Sequence, residues 1–398
     1  MLPSVLKSDT TAENWSVRRN ELLELLRSEV FGNRPDLAYT VTPKLLYRTD
    51  ALNGIALREQ YSVTVSTERG KVELQLALVL PRSEKPVPVV LLISNHDKAP
   101  AAGSPPDFSL FGQLMEKAPT RWREEVQAMM AGIAKSGAPT PTLLDIEQDD
   151  SDAEYWAVAD IVASGRGAAA FYASEAQPDD RMKFPANLTA LFTSPDTARA
   201  DDEWGTLGVW AFAASCMVDV LCKHASVDAK RISVGGHSRG GKTALWCAAQ
   251  DERINAVLVN NSGCSGAAIS RGKNGEVVAS INAFFPHWFC PKYAEYGWRE
   301  DEMPFDQHML LACVAPRLCY VTSGSEDSWS DPAAEWQGTK EAAVAWQLFD
   351  SAVQLDEQPA PGEAVQAHRI GYHQRKGGHD LTAWDWKLFM QYLDRHNG

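Results

Sequence analysis

A serine stands between two glycines in Gly236-His237-Ser238-Arg239-Gly240-Gly241-Lys242. The apolar run Ile232–Gly235 precedes it, and Lys242–Gln250 after it has the composition of a helix. Gly-x-Ser-x-Gly at a strand-to-helix turn is the pattern of a nucleophile elbow. The turn is too tight for large flanking side chains. It lifts the serine hydroxyl to a helix N-terminus, whose N–H groups favour developing negative charge. The plainer reading of the same glycines is a turn that packs a helix on a sheet.

A nucleophilic serine needs a base and an acid, in the chain order Ser, acid, His. The histidines after Ser238 are His287, His308, His368, His373, His379 and His396. His379 lies in Lys376-Gly377-Gly378-His379-Asp380, a loop of small residues between the last strand and the last helix. That is where such a fold presents its base. His373 competes, but its place at a strand end reads as structural. For the acid, Gly324-Ser325-Glu326-Asp327-Ser328-Trp329-Ser330-Asp331-Pro332 offers Asp327, with Glu326 and Asp331 as fallbacks suited to the surface or to helix capping. The other loop, Asn260-Asn261-Ser262-Gly263, has no carboxylate. An Asn cannot stabilise an imidazolium, so Asp327 is the expected acid.

Strands and helices must hold these groups at one edge. Trp15–Val30 places Leu22, Leu23, Leu26 and Val30 on one helical face. Ile55–Ser66 and Lys71–Leu80, divided by Arg69-Gly70, read as a hairpin, and Val87–Ile93 as a strand covered on both faces, with Pro88 at its start. From Tyr155 the elements alternate. Helices are expected at Tyr155–Ala163, Thr206–His224, Lys242–Gln250, Ala333–Phe349 and Ala383–Arg395, and strands at Gly167–Tyr172, Ile232–Gly235, Ala256–Asn260, Arg317–Ser323 and His368–Tyr372. A hairpin followed by βαβ units predicts an α/β-hydrolase fold: a mostly parallel, doubly wound sheet with an antiparallel N-terminal hairpin. A single domain over 1–398 is expected, with a rim insertion at about 97–152 that includes a short helix near Trp122–Ala131 and the acidic run Asp145–Asp152.

The bulk numbers restrict partners. The chain has 398 residues, 44% hydrophobic and 23% charged, with a formal net charge of −14. That balance argues against nucleic acid or an anionic membrane as partner. No apolar run approaches the roughly 20 residues of a membrane helix. The seven cysteines form no CxxC pattern and several sit among apolar neighbours, so buried thiols are expected, with one or two disulfides still open. The N-terminus carries no basic stretch followed by an apolar region. A cytoplasmic protein is expected as the sequence stands, or a secreted or periplasmic one if a signal peptide was removed. A monomer is expected.

The elbow resembles the GxSRxGK motif of the glucuronoyl esterases, carbohydrate esterase family fifteen. Similar pieces run along most of the chain: Trp15-Ser-Val-Arg-Arg, Val30-Phe-Gly-Asn-Arg-Pro, Asp228-Ala-Lys-Arg-Ile, Asn261-Ser-Gly-Cys-Ser-Gly-Ala-Ala, Phe285-Pro-His-Trp-Phe-Cys, Pro304-Phe-Asp-Gln-His, Ala315-Pro-Arg, Asp327-x-Trp329-x-Asp331-Pro332 and Gly378-His379-Asp380. The resemblance implies hydrolysis of esters between a glucuronate side group of glucuronoxylan and a lignin alcohol. Ser238 would be the nucleophile, His379 the base and Arg239 the oxyanion stabiliser, while Lys242, Glu276 and Trp329 would contact the uronate ring. The fungal branch carries its acid where this chain has Asn261; some bacterial members use an Asp matching Asp327. Ser94-Asn95-His96-Asp97 departs from the family's usual Gly-Asn-His.

Ser238 and Lys242, four apart at a helix start, share a face, which fits a lysine reaching a sugar hydroxyl beside the scissile carbonyl. An aromatic two residues from the acid, Trp329, is placed to stack on a sugar. Trp288 and His287 read as packing. The expected chemistry is two-step acyl transfer, and no metal or organic cofactor is implied. An esterase for acetyl or other small esters is the first alternative, and a non-catalytic carbohydrate-binding protein on a hydrolase scaffold the second.

Overall fold

Residues 56–81 alternate apolar and polar over two stretches separated by a charged turn, and the chain folds back on itself there. The computed structural model describes residues 1–95, 154–193 and 197–397, with the isolated positions 116, 120 and 123. The insertion expected at about 97–152, with its helix and acidic run, otherwise lies outside the described residues. β2 (Ala56–Thr67) and β3 (Gly70–Pro81) pair antiparallel, with Ser66 opposite Lys71. In front of them runs β1 (Thr40–Ala51), antiparallel to β2. The sequence leads to no expected strand there, and the reason is physical. β1 is an edge strand whose residues are nearly all exposed, so no face is selected for apolar side chains and no alternation is written into it.

Among the described residues the remaining strands are β4 (Val87–Ser94), β5 (Gly167–Tyr172), β6 (Val227–His237), β7 (Ile254–Asn260), β8 (Leu318–Gly324), β9 (Ala364–Val365) and β10 (Ile370–Arg375). They complete one sheet of ten strands in the order β1-β2-β3-β5-β4-β6-β7-β8-β10-β9. The run β5-β4-β6-β7-β8-β10 is parallel throughout. Pro88 sits at the second residue of β4, where the register against β6 shifts, so its missing N–H interrupts no regular ladder.

Both faces of the sheet are covered, as parallel strands require. Along β4, Val89, Leu91 and Ile93 enter one apolar core, while Val90 and Leu92 enter the other. The first core is filled by helices α1 (Trp15–Leu26), α3 (Thr206–Lys223) and α4 (Arg239–Gln250), and the second by α2 (Val158–Ala163) and α6 (Ala383–Asn397). α3 is long and apolar enough to cross a membrane by composition, but it is a core helix, mostly buried. The expected helix Ala333–Phe349 is divided into α5 (Pro332–Ala342) and a short turn of helix, Val344–Gln347. All seven cysteines are free thiols, and burial pushes Cys247, Cys264, Cys313 and Cys319 up to about 12. The ends of β6, β8 and β10 point the same way, so the loops that follow them meet at one edge.

Candidate active site

Ser238 joins β6 to α4 with φ +55° and ψ −123°, a conformation that a side-chain-bearing residue rarely adopts and that costs about 1–3 kcal/mol. Its glycine neighbours permit the turn. A Cβ on Gly236 would collide with the Gly240 carbonyl, and one on Gly240 or Gly241 would come within 2.9 Å of the Ile93 or Asn260 carbonyl oxygen. The Ser238 N–H donates to Asn260 O at 2.9 Å, fastening the elbow to the neighbouring strand.

The loop after β8 carries Asp327 and the loop after β10 carries His379, whose Nδ1 donates to Asp327 Oδ2 at 2.6 Å. The imidazole is 41% exposed and the carboxylate 4%, so the carboxylate is buried and the imidazole open. Asn261 Nδ2 donates to the same oxygen at 2.6 Å, and the Ser330 N–H to Oδ1 at 3.1 Å. Burial, the largest single influence, would raise this carboxyl. The His379 contact and charge, with the Asn261 and Ser330 hydrogen bonds, outweigh it and hold Asp327 well below the usual carboxylate range. The fallback acids stand elsewhere. Glu326 is exposed, and Asp331 caps α5, accepting from Ala334 N at 3.2 Å and from Asn274 N at 2.7 Å. No hydrogen bond joins the Ser238 hydroxyl to His379 among the described residues, as is common without substrate. The His237 ring lies 4.5 Å from that of His379 and is itself fixed by Asn260 Oδ1 at 2.6 Å.

One turn into α4, Lys242 is buried, and its Nζ lies 3.8 Å from Glu276 Oε2. Glu276 would by default be a solvated residue, yet it is buried as well. Its loop, Gly272–Glu276, docks on the acid loop: Glu276 N donates to Trp329 O at 3.0 Å, and a Cβ on Gly275 would strike the Trp329 backbone. Trp329 itself is half-buried. Lys242 and Glu276 thus meet one helical turn from Ser238, against the backbone of the loop that carries Trp329.

Three further residues gather around Arg239. Asp179 follows β5; its Oδ2 is 3.1 Å from Arg239 Nε, and its Oδ1 accepts from Trp288 Nε1 at 2.6 Å and His287 Nε2 at 2.9 Å. Trp288 stacks on Phe285 at 3.8 Å and lies 5.9 Å from both Arg239 and Lys242. His287 and Trp288, expected as packing, also hydrogen-bond the Asp179 carboxylate. The one signal for Asp179 in the sequence is its place just past the carboxyl end of a parallel strand, where open α/β sheets present ligands.

A doubly wound, mostly parallel sheet with a strained serine on a strand-to-helix turn at its carboxyl edge defines the α/β-hydrolase class. Residues 196–350 match the family of fungal glucuronyl esterases. The chain is 32% identical over 392 residues to the carbohydrate esterase MZ0003 of an unknown prokaryotic organism, covering 97% of this chain and 86% of that one. A glucuronoyl esterase from Solibacter usitatus superposes with a TM-score of 0.81 at 33% identity, covering all of this chain and 98% of that one. A promiscuous esterase of carbohydrate esterase family fifteen, from a marine bacterial metagenome, superposes with a TM-score of 0.82 at 30% identity, over all of this chain and 97% of the other. This chain belongs to the glucuronoyl esterases of carbohydrate esterase family fifteen, a membership that supports cleavage of glucuronoyl esters.

Proposed function

We propose that the protein hydrolyses glucuronoyl and 4-O-methyl-glucuronoyl esters that join glucuronoxylan to lignin alcohols, through a Ser238–His379–Asp327 triad. Ser238 Oγ attacks the uronate carbonyl as His379 Nε2 takes its proton. Nε2 is the free nitrogen because Nδ1 is committed to Asp327. Asp327 fixes that tautomer and stabilises the imidazolium, and Arg239 meets the charge on the carbonyl oxygen. His379 then protonates the departing alcohol, and a water activated by the same nitrogen releases the uronic acid and restores Ser238.

The observation that carries the substrate class is the buried Lys242–Glu276 pair one helical turn from Ser238. An ester of glucuronic acid has no charge at its carboxyl, so recognition falls on ring hydroxyls. A dry lysine and glutamate are suited to those, with Trp329 stacking on the ring. The test is benzyl glucuronate hydrolysis by wild type and Ser238→Ala, with methyl glucuronate and 4-nitrophenyl acetate compared on the wild type. Faster turnover of the acetate would favour a small-ester enzyme. Failure of a fluorophosphonate to label Ser238 would favour a non-catalytic binding protein.

A further inference from the structure

Arg239 has five donors in a rigid planar fork, and its usefulness to a developing oxyanion depends on how that plane is held. Its Nε side forms an ion pair with Asp179 Oδ2 at 3.1 Å, too poorly aligned to count as a hydrogen bond, and its Cζ lies 5.9 Å from the Trp288 ring; the two Nη groups make no hydrogen bond to any described residue. The guanidinium is about a third exposed while Asp179 is largely covered, so the edge paired with Asp179 faces protein and the other edge can face the site. The other Asp179 oxygen is held by two donors from a distant segment, His287 and Trp288. That segment is itself fixed, since the Thr206 and Leu207 N–H groups at the start of α3 donate to the His287 and Trp288 carbonyls at 2.9 and 3.1 Å. Burial would raise the Asp179 carboxyl most strongly. The charge of Arg239 and the His287 and Trp288 hydrogen bonds prevail and keep it ionised.

We propose that Asp179 is a positioning residue of the reaction: it fixes the plane of the Arg239 guanidinium so that the Nη donors stand ready for the oxyanion, and His287 and Trp288 hold Asp179 in that pose. The proposal rests on the esterase reading and on Arg239 as an oxyanion donor. Preorganised donors stabilise charge without reorganising during the reaction, so a guanidinium released from Asp179 should lose much of its effect while substrate binding persists.

The experiment is a double-mutant cycle on benzyl glucuronate with Asp179→Asn, Arg239→Ala and both. Asp179→Asn should lower kcat by about 10–100-fold with KM within about twofold, and should also slow fluorophosphonate labelling of Ser238. In the Arg239→Ala background it should remove almost nothing more. Losses that multiply would overturn the proposal, because Asp179 would then act independently of Arg239. Circular dichroism checks the fold of each variant. A second pair holds if Asp179→Asn does not fold: His287→Gln retains a donor where Nε2 stands and should stay within about twofold of wild-type kcat, whereas His287→Ala should fall by about fivefold or more. Equal kcat for these two would overturn the proposal. If the wild type shows no Ser238-dependent hydrolysis, the esterase reading itself fails; Ser238-dependent hydrolysis with multiplying losses sinks the positioning role alone.

Discussion

Two aspartate–histidine pairs stand within seven residues of each other at the end of β10, and only one is proposed to do chemistry. His379, on the loop, donates Nδ1 to Asp327 and leaves a half-open ring. His373, inside the strand, is fully buried, with Nδ1 against the Tyr320 hydroxyl at 3.0 Å and Nε2 against Asp385 Oδ1 at 2.7 Å. Asp385 is engaged further by Arg375 Nε at 3.0 Å and by the Thr382 N–H and hydroxyl. The pairs share a chemical motif and differ in the second nitrogen. A base requires a nitrogen with nothing bound to it and a route to substrate, and the loop supplies both. The inner pair instead knots β8, β10 and α6 together.

That contrast is broken most sharply by removing each histidine. His379→Ala and Ser238→Ala should each abolish nearly all hydrolysis, and the double variant should be scarcely worse, because triad members act as a unit. His373→Ala should unfold more easily by about 2–4 kcal/mol in urea titrations while its surviving folded fraction keeps kcat within a few fold. Loss of activity without loss of stability in His373→Ala would reverse the assignment. The acids follow with a smaller effect. Asp327→Asn should lower kcat by up to about 10⁴-fold with the fold intact, and Asn261→Asp in that background should restore part of the rate. A dead Asp331→Asn beside a near-normal Asp327→Asn would move the acid within its loop.

The first strand pair and the elbow show how legibility divides. Gly236, Gly240 and Gly241 are dictated by backbone clashes within a few residues, so the pattern is local and could be read. β5 was readable to its ends because a strand covered on both faces is continuously apolar. His379 and Asp327 were legible through loop position and the need for an anion. Nothing local marks β1, which buries neither face, or Glu276, whose burial arises from docking of one loop on another. Asp179, His287 and Trp288 come from segments more than a hundred residues apart and acquire meaning only when β5 and the start of α3 are side by side.

Substrate choice sharpens the same contrast on a smaller scale. Lys242→Ala should reduce kcat/KM on a glucuronate ester by about 10²-fold, roughly 2–3 kcal/mol, and affect 4-nitrophenyl acetate far less, since the acetate has no hydroxyls to lose. Equal losses on both would assign Lys242 and Glu276 to the fold. The smallest effect concerns a buried carboxyl under the acid loop. Glu335 accepts from the Ser323 hydroxyl at 2.6 Å, the Gly263 N–H at 2.8 Å and the Ser262 hydroxyl at 3.0 Å, and burial pushes it up to about 7. A carboxyl raised above its unfolded value of about 4.3 adds stability that is full below that value and lost as pH rises through 7. Thermal unfolding of the wild type should therefore weaken from pH 6 to 8 more than that of Glu335→Gln. Parallel curves for the two would show that Glu335 is ionised throughout.

The hydrogen bond from Asn261 to Asp327 has a consequence for how this site can change over generations. Two loops, one after β7 and one after β8, converge on the carboxylate that holds one imidazole; one contributes that anion and the other a neutral amide. A single substitution at position 261 would place a second carboxyl against the first. Two such groups at hydrogen-bond distance share a proton rather than both ionising, so the imidazole would still face one negative charge. The ancestry of the site can therefore pass its acid from one strand to the next through a sequence with both, at no step leaving the histidine without an anion.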